Sequence, residues 1–356
     1  MANGLSARVL FVVFALGFLG SLANTGGAEE AEGPSRGAAS GTPRNRIAAR
    51  PTAAASGKAP AEQRTLTHAG KTRTAIVHVP PRAKAEQPLP LMIVLHGFLA
   101  DGEMTRILSG FNGVADRHRF VVAYPDGLGR MWRFWEGTGH VPAIQAQVGK
   151  QIGNVDDPGF LLHLIDDLVA EKLVDPRRVY LTGISNGGFM TNRMAWQYGD
   201  RIAAIAPVAG TIPSLMLPDI KPVRAMPTLI AHGTEDRIVD YGGSDKFGIA
   251  GKFISAPELA EWWASKNRCL PEETKTLPDK ANDGTLVREH RFPAASKEGA
   301  ASAEVRLYEI EGGGHTWPGG SFQPRVMLGE TCRDWSASEA IWEFCSRYTL
   351  PEIKQP

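Results

Sequence analysis

Short, almost unbroken apolar runs alternate along this chain with stretches whose apolar residues recur at helical spacing. Residues 74–79, Thr-Ala-Ile-Val-His-Val, alternate and predict an early antiparallel edge strand, stopped by Pro80-Pro81 because proline cannot donate to a ladder. Residues 89–97, 120–125, 202–210 and 227–233 are nearly all apolar, as strands covered on both faces must be. Residues 305–310 predict a last strand, and residues 160–172, 256–266 and 336–348 read as helices. Between them, Val179-Tyr180-Leu181 forms another buried strand that runs through a glycine-flanked Ser185 into a helix past Asn192 and Trp196. Strands alternating with helices predict an α/β fold with a doubly wound, mostly parallel sheet, whose ligands sit at the C-terminal strand ends. Residues 64–351 make this a single folded domain, with 352–356 as a tail, and no internal repeat interrupts it.

The N-terminus follows a different pattern. Arg8 precedes an apolar stretch at 9–22 that is too short to span a bilayer comfortably, and small residues follow it. Residues 1–28 therefore read as a signal peptide cut near Ala28, the alternative being an uncleaved anchor. Export to the periplasm or the exterior is expected, without stable membrane insertion after cleavage. Residues 29–63 are Ala, Gly, Ser, Pro and scattered charge, a composition that cannot bury a core and predicts a disordered spacer. The 39 basic and 38 acidic side chains nearly cancel, so no basic face points to nucleic acid. An oligomeric state is not written in the pattern. Three cysteines are an odd count for an oxidising compartment. Cys345, in an apolar helix, reads as a buried thiol; Cys269 and Cys332, in loops beside helices, are the candidate bridge. None has metal-site spacing.

Three turns that follow predicted strands carry the chemistry of acyl transfer. Gly183 and Gly187 flank Ser185 at the spacing of a nucleophile elbow, which lifts the hydroxyl to the start of a helix. Asp236, in Gly233-Thr234-Glu235-Asp236, is the acid chosen to orient an imidazole, with Glu235 and Asp240 as fallbacks. His315 follows three glycines after the last strand and is placed to act as general base. The chain order Ser, Asp, His is that of α/β-hydrolases. The oxyanion hole is expected from the main-chain amides of Asn186 and Phe98. His96 and His232 are read as structural, bracing their turns.

Taken together, His96-Gly97, Tyr124-Pro125-Asp126-Gly127, Gly183-Ile184-Ser185-Asn186-Gly187-Gly188, His232-Gly233-Thr234-Glu235-Asp236 and Gly312-Gly313-Gly314-His315-Thr316-Trp317-Pro318-Gly319 resemble the poly(3-hydroxybutyrate) depolymerase-type esterases, relatives of feruloyl and acetylxylan esterases. The resemblance implies a secreted carboxylic-ester hydrolase working through an acyl-enzyme without metal or cofactor, on oligoesters or on feruloyl or acetyl esters of polysaccharide. It matches Ser185, Asp236 and His315 to the family triad. It departs at Phe98, where the family often has cysteine. Trp132, Trp135 and Trp317 are candidate substrate contacts, although the first two are equally suited to packing a small core under their own loop. Rival readings are a prolyl-oligopeptidase-like peptidase, which would bring a propeller domain, and an inactive surface-displayed binding domain, which would have no need of all three triad residues.

Overall fold

In the computed structural model, which describes residues 62–81, 87–135, 154–245, 252–296 and 302–352, the apolar runs assemble into one ten-stranded sheet. The expected signal peptide and nearly all of the expected spacer lie outside those residues. The strands are β1 (Glu62–His68), β2 (Lys71–His78), β3 (Leu89–Leu95), β4 (Val121–Pro125), β5 (Val174–Ile184), β6 (Ala204–Val208), β7 (Thr228–Gly233), β8 (Glu273–Thr276), β9 (Leu286–Phe292) and β10 (Val305–Glu311). Their order is β1-β2-β4-β3-β5-β6-β7-β10-β9-β8. The six strands from β4 to β10 are mutually parallel, and an antiparallel pair extends each side. This is the α/β-hydrolase fold.

The central strands are apolar throughout because both faces are covered. Leu91, Ile93 and Leu95 of β3 join one core, while Met92 and Val94 between them join the other. The first core packs under the helices α3 (Asp157–Ala170), α4 (Asn186–Gln197) and α5 (Ala256–Lys266). The second lies against α2 (Phe111–His118) and the C-terminal α7 (Ala337–Cys345). Between them in sequence, α1 (Gly102–Ser109) follows β3 and the four-residue α6 (Arg325–Leu328) follows β10.

Several expectations need correction. The early strand is antiparallel but not at the edge: β1 pairs with it, from Glu62↔Val77 to His68↔Lys71, so folded structure begins before residue 64. Asp175-Pro176 lies within β5, beside a register shift against β3, so this strand begins well before the expected Val179. Strands β8 and β9 were missed. β8 is exposed at every position, and β9 buries Glu289 where a strand pattern calls for an apolar residue. That carboxylate is satisfied by Arg306 at 2.7 Å and the Tyr308 hydroxyl at 2.9 Å. The expected Cys269–Cys332 bridge is absent and all three cysteines are free. Cys269 packs against the core on one face of the sheet and Cys332 belongs to the core on the other. The Cys269 thiol donates to the Ala303 carbonyl instead, at 3.1 Å, and burial pushes its pKa up to about 11. No helix among the described residues is long and apolar enough to cross a membrane.

Candidate active site

The chain leaves β3 toward β4 on one side and later inserts β5 on the other, so a topological switch point opens between the C-terminal ends of β3 and β5. Two turns meet there. At the end of β5, Ser185 adopts φ 57° and ψ −121°, a backbone conformation that costs a residue with a side chain about 1–3 kcal/mol. The flanking residues must be glycine: a Cβ on Gly183 would lie 2.7 Å from the Gly187 carbonyl oxygen, and one on Gly187 would lie 2.5 Å from the Leu95 carbonyl oxygen. The Ser185 amide donates to Val208 O at 2.9 Å, which ties the elbow to β6. The β3 turn passes directly over it, since a Cβ on Gly97 would stand 3.5 Å from the Ser185 Cβ.

Two main-chain amides are presented at this meeting point. Asn186 opens α4, so its N–H belongs to the first turn, where no intrahelical acceptor exists. The Phe98 N–H has no main-chain acceptor among the described residues. The turn that carries Phe98 is braced by His96, which is fully buried and holds it from inside. Its Nδ1–H donates to Gly97 O at 2.7 Å, while its Nε2 accepts the Gly127 N–H at 2.9 Å. One nitrogen donates and the other accepts, which requires a neutral ring; burial lowers its pKa in that same direction.

The acid and the histidine come from the turns after β7 and β10. His315 Nδ1–H donates to Asp236 Oδ2 at 2.7 Å, and both side chains are buried. Asp236 Oδ1 accepts the Ile238 and Val239 amides, each at 2.9 Å, so the carboxylate is fixed from both ends. His232 Nε2–H donates to Val239 O at 2.7 Å and stands 3.3 Å from Asp236 Oδ2. Burial alone would raise the Asp236 pKa, but the charges and hydrogen bonds of His315 and His232 outweigh it and hold the carboxyl well below its usual range. The fallback acids fall away, because Glu235 is exposed and exposed Asp240 spends its carboxylate on the Gly242 amide. No hydrogen bond joins Ser185 to His315 among the described residues; such contacts often tighten only when substrate arrives.

The three indoles do not line this site. Trp132, Trp135 and Trp317 are buried, with Trp132 and Trp317 entirely inaccessible. Trp317 donates its N–H to Ser338 Oγ at 3.0 Å and sets its edge against Phe111, anchoring the loop beyond His315. Trp135 packs edge-on to Phe134, which stacks on Phe189 of α4. Trp132 packs against the His96 ring, with centroids 5.0 Å apart. Of the two acids at the start of α3, Asp156 caps the helix through the Gly159 amide, whereas Asp157 is buried against Arg73 at 2.7 Å and accepts the Arg133 amide. Asp283, Cys332 and Asp334 are the described residues grouped closely enough to hold an ion. Both Asp283 oxygens and one Asp334 oxygen already accept main-chain amides from neighbouring loops, so the cluster reads as a loop brace.

Comparison with known proteins gives this chain relatives. Residues 74–214 match the family described as esterase PHB depolymerase. A putative esterase, NocK, of Nocardia uniformis subsp. tsuyamanensis is 29% identical over 79% of this chain and 81% of its own length. Feruloyl esterase B of Piromyces equi is 27% identical over 78% of this chain, which spans only 46% of that enzyme. Among solved structures, an acetyl xylan esterase from Aspergillus awamori superposes with a TM-score of 0.48 at 16% identity, over 72% of this chain and 94% of that one.

Proposed function

We propose, from the premise that this chain belongs with the PHB depolymerase-type esterases and is a carboxylic-ester hydrolase, that Ser185, His315 and Asp236 form its catalytic triad. His315 Nε2 takes the Ser185 proton as Oγ attacks the ester carbonyl. The Phe98 and Asn186 amides hold the oxyanion that forms. Collapse breaks the ester C–O bond, His315 returns its proton to the departing alcohol, and acyl-Ser185 remains. Water, deprotonated by His315, then releases the acid. The observation that carries the reading is the buried His315–Asp236 hydrogen bond of 2.7 Å, which fixes the imidazole tautomer with Nε2 free. Residues 1–28, read as a signal peptide, make this an exported enzyme.

For the substrate, we favour hydroxyalkanoate-type oligoesters over esters of polysaccharide. His315 N–H bonds to Leu328 O, so the segment 321–330 passes beside His315, and none of its residues is buried. It carries Phe322, 84% exposed, and Val326, 97% exposed, and it is tied through Ser321 to α1, where Ile107 is also exposed. An apolar rim suits an aliphatic chain better than a hydroxyl-rich sugar. The test compares hydroxybutyrate oligomers, methyl ferulate and acetylated xylan. Oligomers are expected to give the highest kcat/KM. Phe322→Ser with Val326→Ser should lower that value about tenfold, equivalent to ~1.4 kcal/mol, while p-nitrophenyl acetate turnover stays unchanged. Preference for methyl ferulate or acetylated xylan would overturn the substrate assignment. Silence on every ester from a folded protein would favour a binding domain.

A further inference from the structure

The side chain of Asn186 has a task that its place after the nucleophile does not announce. Its Oδ1 accepts the Trp132 main-chain N–H at 2.6 Å, and its Nδ2–H donates to the Trp132 carbonyl at 2.9 Å. Both groups of one buried peptide segment are thus held by a single carboxamide. From there the Trp132 indole N–H reaches back to the His96 carbonyl at 3.1 Å, in the residue that opens the β3 turn. A second link runs the same way, since Leu99 N–H donates to Arg130 O at 2.8 Å. On its far side the segment is anchored, with the Arg133 amide on Asp157 and the Arg133 carbonyl accepting from Arg193 at 2.5 Å.

We propose that Trp132 and the Asn186 carboxamide are positioning residues that set the separation of the two oxyanion donors. Asn186 supplies one amide and, through Trp132, holds the turn that supplies the other. The inference rests on the proposed triad and deepens it. An oxyanion hole works only when its donors stand about 2.7–3.1 Å from the place where the negative oxygen forms. Close packing fixes the end of β3 on α4 as far as His96, whose carbonyl would lie 2.7 Å from a Cβ on Gly187, but Phe98 lies two residues further on, in a half-exposed turn. The bridge through Trp132 ties that turn to the Asn186 side chain. Its hydrogen bonds join Asn186, Trp132 and His96 and do not include Ser185, so loosening it should weaken transition-state binding while leaving ground-state binding alone.

Trp132→Phe tests this, because it keeps an aromatic ring and removes the N–H that reaches His96, together with part of the buried indole's volume. On p-nitrophenyl acetate, kcat per titrated active site is expected to fall about tenfold with KM within about twofold, the signature of an interaction made only in the transition state. Affinity for a trifluoromethyl ketone, which forms a tetrahedral oxyanion adduct, should fall by the same factor as kcat. Affinity for the acetate product should not change. Adding Trp132→Phe to Asn186→Ala should cost less than it does alone, because both variants cut one path. If Asn186→Ala does not fold, the phenylalanine variant still decides. A lower melting temperature with unchanged kcat per active site, or full affinity for the ketone, would overturn the proposal and leave Trp132 as packing. Ser185→Ala separates the two levels: activity surviving in that variant sinks the triad itself, whereas its loss beside a fully active Trp132→Phe sinks only the bridge.

Discussion

Ser185→Ala is expected to lower kcat on short-chain aryl esters by about 10⁶-fold, the scale on which removing the nucleophile disables a serine hydrolase. The loss is that large because no neighbouring group can take over. Ser185 alone sits on the strained turn that exposes a hydroxyl beside the first turn of α4. The substitution keeps the flanking glycines, so the elbow and its bond to Val208 O should persist. The strain lies in the backbone and is common to serine and alanine, so stability should change little. Circular dichroism and melting temperature close to those of the natural protein, with activity at background, would be the expected pair of results. Retention of more than about a hundredth of kcat would mean that another residue attacks the ester.

Asp236→Asn should cost about 10⁴-fold in kcat, because the carboxamide no longer compels the imidazole tautomer that leaves Nε2 unprotonated. Its geometry makes the prediction specific. Oδ1 is committed to the Ile238 and Val239 amides, so Oδ2 alone faces His315. In the variant, the amide oxygen would keep the two main-chain bonds and turn an NH₂ group toward His315 Nδ1. The ring would then accept at Nδ1 and carry its proton at Nε2, where a base needs a lone pair. Asp236 is held well below the usual carboxylate range, so its charge persists through the whole working pH range and no acid limb of the rate profile should come from it. Steady-state kinetics from acid to alkaline pH check this. A loss of less than tenfold would show that His315 takes its orientation from elsewhere.

The elbow was legible in the sequence because so sharp a turn constrains the backbone and leaves marks there. The elbow needs glycine at 183 and 187 for steric reasons that no side chain can evade. The parallel strands were legible because burial on two faces forces a continuous apolar run. Strands β8 and β9 carry no such mark. They extend the sheet at its edge, where one is solvated and the other replaces apolar contact with the Glu289–Arg306 pair. The sequence left the roles of Trp132 and Trp135 open for a related reason. Spacing puts Trp132 near the site, but it does not say whether an indole faces the cleft or the protein, and here its N–H is spent on His96 O. The cysteines failed similarly, because proximity to helices in the sequence does not reveal which side of a sheet a loop ends on. Nothing in the local sequence marked the Asn186 carboxamide as a brace across 54 residues to Trp132.

The most direct measurement is to trap the nucleophile. The natural protein would be treated with a p-nitrophenyl phosphonate and analysed by intact-mass and peptide mass spectrometry, with release of p-nitrophenol followed in parallel. One adduct per molecule is expected, on the peptide that contains Ser185, with loss of esterase activity in step with its formation and no adduct on Ser185→Ala. An adduct on another residue, or none in a protein that still turns over esters, would contradict the account.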